Sequence, residues 1–152
     1  MSQIATIEGL DPLIKQMEAY PVELTKTVAI GMSASLNTYW ENVPPYPAPP
    51  ANSKYRRTGT LGKSLGSGMG GGAVGEPSIY RIKKLGAGNF EGAFGSNLEY
   101  APYVIGDTAQ AEVHQGRWWT METIAKKAND KVMDIWSMVM EKLARFLERK
   151  NG

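Results

Sequence analysis

Residues 119–150 contain neither glycine nor proline, in a chain of 152 residues with seventeen Gly and nine Pro. Twelve of those Gly lie between Gly59 and Gly95, and five of the Pro lie between Pro44 and Pro50. Gly and Pro are the residues a helix interior tolerates least. Their segregation therefore splits the chain into a periodic start, a loop-rich middle and a long helix. We read the whole of 1–152 as one domain, a size at which a core needs no disulfide or metal staple. Its parts are N-terminal helices over 11–42, a Pro-rich arm over 43–57, a β-meander with loops over 58–118, and a C-terminal helix over 119–150.

In the first part, Asp11 is expected to cap a helix that Pro12 opens. Tyr20 precedes Pro21 and is pushed away from helical dihedrals, so a break is expected there. Pro21 then opens a second helix to about Glu41. Leu24, Val28, Met32, Leu36 and Trp40 recur every four residues along it as one apolar stripe, and Pro44 and Pro45 stop it. In the last part Thr120 is the expected cap. Ile124, Ala128, Val132, Ile135, Val139, Leu143 and Phe146 form a stripe that Trp136, Met140 and Leu147 widen. About 30 residues at 1.5 Å each make a rod of about 45 Å. That length suggests that part of the stripe faces another subunit.

The middle is expected to be β-structure. Ser78 to Lys84 alternates in part and suits an exposed strand. Gly92 to Asn97 pairs with it across a Gly-rich hairpin, and Leu98 to Ile105 is a third candidate strand, interrupted by Pro102. Short connections make the sheet antiparallel. The fold class is α+β: N-terminal helices, a small antiparallel β-sheet with long Gly/Pro-rich loops, and a long C-terminal helix.

The chain has no Cys and one His, which excludes disulfide scaffolds, thiol nucleophiles, iron–sulfur clusters and two-His metal motifs. No apolar run approaches a membrane span, and MSQIATIEGLDPL lacks the basic start and apolar stretch of a signal peptide. A soluble protein made in a reducing compartment is expected, with no membrane, metal or cofactor. Gly62-Lys63-Ser64 looks like the tail of a phosphate-binding loop, but Arg57 stands where the first Gly belongs. Gly66 to Gly71 formally matches a dinucleotide fingerprint, yet Gly72, Gly75 and Pro77 cannot sustain the helix it must open. His114, near Glu112 and Asp107, would be a general base or weak metal ligand only with partners the sequence does not supply. A hydrogen-bonded structural His is the plainer reading. Trp118 and Trp119 beside Arg117 suit a stacking surface, a helix anchor or a protein interface.

Between Pro44 and Phe90 stand seven basic residues, Lys54, Arg56, Arg57, Lys63, Arg81, Lys83 and Lys84, against the single acid Glu76, a local balance of +6 in a chain of net charge +2. Such a patch suits sequence-independent phosphate contact that weakens with salt, a plain solvated surface, or pairing with an acidic partner. Val43 to Pro50 is stiff polyproline II. It is read as a spacer, an arm reaching a neighbour, or a ligand for an aromatic groove.

Two segments together carry a resemblance. Tyr55-Arg56-Arg57-Thr58-Gly59-Thr60-Leu61-Gly62-Lys63-Ser64-Leu65, directly after the Pro-rich stretch, resembles the TG-x-L-x-x-S signature of tailed-bacteriophage tail-completion proteins, also called head–tail joining or neck proteins. Phe94 to Ile105, with Gly95-Ser96-Asn97 and Tyr100-Ala101-Pro102-Tyr103-Val104, resembles their G-(S/T)-N-x-x-Y-A-x-Y-V strand. The order of elements is similar, and the match covers roughly residues 20–110. Thr58, Gly59, Leu61 and Ser64 match the first motif by position; Tyr100, Ala101, Tyr103 and Val104 match the second. Many relatives have an acid and Gly-Thr after the second motif, where this chain has Gly106-Asp107-Thr108.

The resemblance implies a structural virion protein of a tailed bacteriophage. It would form a homo-oligomeric ring at the head–tail junction, with DNA passing through its lumen, and it would have no catalytic residue. Its partners would be copies of itself, the neighbouring portal or head-completion and tail-tube proteins, and DNA without sequence preference. It would be made in the host cytoplasm and reside in the virion neck. Three rivals stand beside it: a minor capsid or head-decorating protein, a sequence-independent DNA-binding module, and a small enzyme using His114.

Overall fold

Two helices that read as amphipathic in the sequence pack against each other along most of their length and make the frame of the molecule. The computed structural model describes residues 11–54, 58–65, 78–86 and 89–152. In order these form α1 (Asp11–Met17), α2 (Pro21–Glu41), α3 (Thr60–Ser64), β1 (Ser78–Gly86), β2 (Asn89–Ser96), α4 (Ala101–Ile105) and α5 (Met121–Asn151). The architecture is α+β.

α2 and α5 run antiparallel. Lys131 Nζ lies 2.9 Å from Glu41 Oε2 at one end, and the rings of Tyr20 and Phe146 meet edge to face at 5.2 Å at the other. Between them Gly31 lets the helices close up, since a Cβ there would lie 2.7 Å from Val139 Cγ2. Met17, Leu24, Val28, Ala128, Val132, Trp136, Val139, Leu143 and Leu147 fill this part of the core. The stripe on α5 is rotated slightly from its expected course. Trp136 and Leu147 are buried, while Ile135 and Phe146 are half-buried.

Ile124, Ala128, Val132, Trp136, Val139, Leu143 and Leu147 of that stripe are buried by its own chain. Its edge residues Ile135, Met140 and Phe146 keep partial exposure, so the chain itself covers most of the face that was expected to meet another subunit. α1 and α2 together are long enough to cover the rod, and the second core cluster buries its N-terminal end. Polar Ser35 and Thr38 are buried in α2 because their hydroxyls donate to the carbonyls of Gly31 and Ala34, one turn back.

The second core cluster contains Leu36, Val43, Leu61, Leu65, Phe94, Ala101, Ile105 and Ile124. It sits beneath the β1–β2 hairpin, whose antiparallel register runs from Ser78 opposite Ser96 to Lys84 opposite Phe90. Tyr80 and Ile82 turn toward this core, and the Tyr80 hydroxyl lies 2.6 Å from Asn37 Oδ1 on α2. Among the described residues the sheet has two strands.

The expected third strand over Leu98–Ile105 is instead a turn leading into α4. Helical spacing decides this. Ala101 and Ile105, four apart, are buried, whereas Tyr103 is 60% exposed; a strand would have put all three on one face. Pro102 falls in the first turn, where the N–H it lacks has no intrahelical acceptor anyway. Tyr20 breaks α1 from α2 as expected, with φ −128°. Asp11 is itself helical rather than the residue before the helix.

Thr120 caps α5 as its composition suggests. Its N–H donates to Thr123 Oγ1 at 3.3 Å. A second cap comes from a distance: Asp107 Oδ1 accepts the Glu122 N–H at 2.7 Å, placing a carboxylate at the positive end of the helix dipole.

Candidate functional site

Four segments far apart in sequence meet at one end of the second core cluster: the Pro-rich arm, the turn into α3, α4, and the loop between α4 and α5. They enclose an open cavity of about 440 Å³ lined by Tyr46, Thr58, Gly59, Thr60, Leu61, Tyr100, Tyr103, Val104, His114 and Trp118.

The arm enters from α2. Val43 is buried, and from there the chain packs against its own Trp118–Trp119 corner. Trp119 Nε1 donates to the Pro45 carbonyl at 3.1 Å. Tyr46 stacks at a tilt on Trp118, with centroids 5.2 Å apart, and its hydroxyl oxygen accepts the Gly62 N–H of α3. Arg117 donates to the Ala48 carbonyl at 3.4 Å. Of the three readings of this stretch, a polyproline segment on an aromatic surface describes these contacts, and the surface belongs to the same chain. Pro50 and Ser53 then close a turn, with the Ser53 N–H donating to Pro50 O at 3.1 Å and Asn52 in the left-handed region at φ 64°.

The turn into α3 depends on Gly59. It precedes the helix with φ +76°, a region that costs other L-residues steric strain. Thr58 and Thr60 face each other across it, their hydroxyls 2.8 Å apart. Ser64 closes α3 and reaches the sheet, its Oγ 2.7 Å from Ser96 Oγ.

The α4–α5 loop is fixed by Gln110. Its side-chain amide donates to the Val104 carbonyl at 2.8 Å and to the Trp118 carbonyl at 3.3 Å. The loop also returns to α4 through the Ala111 N–H, which donates to Tyr103 O at 2.8 Å. His114 lies edge-on to Trp118, with centroids 6.0 Å apart. Its Nδ1 is buried with no hydrogen-bond partner. No side-chain hydrogen bond joins it to a nucleophile or carboxylate among the described residues, so it is not the hydrogen-bonded structural His the sequence suggested.

The two motifs that carry the family resemblance thus converge. Thr58, Gly59 and Leu61 line the cavity from one side, and Tyr100, Tyr103 and Val104 from the other. Ser64 ties the first motif to β2, and Ala101 is buried in the core beneath. Gly95 and Ser96 of the second motif end β2, while its Ala101–Val104 part is helical rather than a strand.

The basic residues do not join this site. Arg81, Lys83 and Lys84 stand exposed on β1, where Arg81 pairs loosely with Glu91 at 3.8 Å. Lys63 on α3 and Lys54 at the end of the arm are exposed on other elements. Arg56 and Arg57 lie outside the described residues, as does the Gly66–Gly75 loop with its fingerprint-like run. Gly62-Lys63-Ser64 belongs to a one-turn helix rather than to a loop between a strand and a long helix. Among the described residues, no group of three or more His, Cys, Asp or Glu is placed to hold a metal ion. None of the described helices is long and apolar enough to cross a membrane.

Sequence reasoning gave no role to Tyr46, Gln110 or Asp107. Tyr46 carried a signal, as the one aromatic side chain inside a proline tract. Gln110 and Asp107 carried none, because their partners are backbone groups that only the fold brings near. Tyr39, stacked on Phe94 at 6.4 Å, has its phenol held above the usual pKa of 10.0 by burial. No protein-family model matches the chain, and no curated protein or solved structure matches it either.

Proposed function

We propose that this chain is a structural virion protein of a tailed bacteriophage, a subunit of a homo-oligomeric ring at the head–tail junction through which DNA passes. The observation that supports this reading best is the convergence of the two resembling motifs on one cavity, with Ser64 and Ser96 hydrogen-bonded between them. In this reading the protein acts by assembly and not by catalysis. Its partners are copies of itself, the adjoining portal or head-completion ring, and the tail tube. It is made in the host cytoplasm and ends in the virion neck. The exposed basic side chains of β1 give it a surface for DNA backbone contact, which six or more copies in a ring would multiply around a channel.

Quantitative mass spectrometry of purified virions tests the proposal, by comparing this chain with the portal and major capsid proteins. A copy number equal to that of the portal ring is expected. Hundreds of copies would make it a head-decorating protein, and absence from particles would make it an assembly factor or a free DNA-binding module. For the last reading, the monomer should bind duplex DNA with an affinity that falls steeply with salt. Replacing Arg81, Lys83 and Lys84 with Gln should then remove most of that binding.

A further inference from the structure

We propose that the outer edge of β1 takes an extended acidic segment of another protein as an added strand. This contact goes beyond the ring reading and does not depend on it.

The hairpin leaves that edge open. A strand paired on one side uses about half of its backbone N–H and C=O groups, and the rest point away from its partner. β1 is nine residues long. Among the described residues, no main-chain group outside the hairpin bonds to the main chain of residues 79–85. β2 lies deeper, with Ala93, Phe94 and Gly95 buried, whereas Arg81, Lys83, Lys84 and Leu85 of β1 are exposed.

Charge decides what the edge accepts. β1 carries Arg81, Lys83 and Lys84 and no acid. Arg81 and Lys83, two residues apart, share the outward face. Two such edges brought together would set like charges side by side, which is unfavourable. Basic residues on an edge discourage pairing between copies for this reason, so the occupant is not a second β1. The hairpin itself displays the matching chemistry. Glu91 on β2 stands opposite Lys83 in the register, and its Oε1 lies 3.8 Å from Arg81 Nη2. One carboxylate faces two cations here, which leaves a positive charge over. An acid on an added strand would repeat the Glu91 contact from the open side.

The incoming segment must alternate. Its outward side chains would stand beside Arg81 and Lys83. Its inward ones would stand beside Tyr80 and Ile82, which are half-buried over the second core cluster. A segment of alternating acidic and apolar residues meets both needs, and its main chain satisfies the edge. DNA meets only the first need. Its phosphates accept hydrogen bonds and leave the edge carbonyls without donors. The ring reading gives these same side chains to DNA, so a strand in place would withdraw Arg81 and Lys83 from it.

The test uses the fluorescein-labelled peptide Thr-Glu-Ile-Glu-Ile-Glu-Thr, titrated into the full chain and followed by anisotropy. Saturable binding is expected. N-methylating the two Ile and the Glu between them keeps every charge but removes edge-facing amides in either strand direction. That change should weaken binding about tenfold or more. Arg81→Gln with Lys83→Gln, both at exposed positions, should weaken it several-fold. Bound peptide should also slow amide hydrogen exchange within residues 79–85, which contact through charge alone would not do. No binding of the unmethylated peptide, equal affinity for the methylated one, or unchanged exchange in β1 overturns the inference. If duplex DNA binds through Arg81 and Lys83 while the peptide does not, the inference fails and these cations serve DNA alone. The methylated peptide is measured on the unaltered protein, so a variant that misfolds does not obscure the result.

Discussion

Ser64 and Ser96 stand 32 positions apart in sequence, yet their hydroxyl oxygens lie 2.7 Å apart. Ser64 Oγ is also 2.7 Å from the Leu61 carbonyl, and its hydroxyl is the donor shared between that carbonyl and Ser96 Oγ. Ser96 also accepts the Leu98 N–H at 3.3 Å. These hydrogen bonds tie α3, the end of β2 and the turn into α4 together. Ser64→Ala removes the shared donor and should cost about 1–3 kcal/mol. Ser96→Ala should cost less, because Ser64 keeps its bond to Leu61. Denaturant midpoints of the two variants check the order; equal losses would show that the Ser64–Leu61 bond contributes little.

The contact of Gly31 with Val139 sets helix propensity against packing. Exchanging Gly for Ala in a helix interior gains roughly 1 kcal/mol. Here the new Cβ would sit 2.7 Å from Val139 Cγ2, and overpacking a close contact typically costs about 1–3 kcal/mol. Gly31→Ala is therefore expected to be net destabilising. In a Val139→Ala background the methyl it strikes is gone, and the same change should become neutral or stabilising. A double-mutant cycle by thermal unfolding measures the coupling; additive effects would show that the helices adjust freely.

The Pro-rich arm is held at its start by the indole of Trp119. Trp119→Phe keeps the ring and removes the donor to Pro45. We expect a small loss of global stability, of about 0.5–1.5 kcal/mol, but a much larger gain in local opening. Tryptic cleavage after the exposed Lys54 should speed several-fold relative to cleavage in α5. Unchanged cleavage would mean that Tyr46 and Arg117 hold the arm without it.

Tyr39 predicts one contribution to the loss of stability at alkaline pH. Burial raises its folded pKa above 10.0, so the folded state holds the phenolic proton more tightly than the unfolded chain does. The associated stability is fully present below about pH 10, the pKa of an unfolded tyrosine. It is lost as pH rises through the folded value. Tyr39→Phe keeps the stack on Phe94 and has no proton to lose. It should flatten the decline in stability above pH 10 without altering stability at neutral pH. A parallel decline in both proteins would place the alkaline transition elsewhere.

What the sequence could determine was whatever local physics controls. Pro21, the four-residue recurrence from Leu24 and the terminating prolines define α2, and its observed span is the expected one. The Gly- and Pro-free tail with Thr120 before it defines α5 within a residue or two. Alternation around Tyr80 and the glycines beyond it announce the hairpin. Each of these signals acts over a few residues and survives without the rest of the molecule.

The tertiary structure decided what depends on distant neighbours. Tyr100 to Ile105 can be written as a strand or as a turn of helix. Burial of Ala101 and Ile105 against Leu61, Phe94 and Ile124 selects the helix. The α5 stripe shows an apolar face but not its occupant, and only the antiparallel packing of α2 reveals that the chain covers it itself. The cavity, the anchoring of Tyr46 under α3 and the capping of α5 by Asp107 all join residues far apart in sequence. Closing such loops costs entropy that no local pattern records. They exist because the two core clusters bring their ends together.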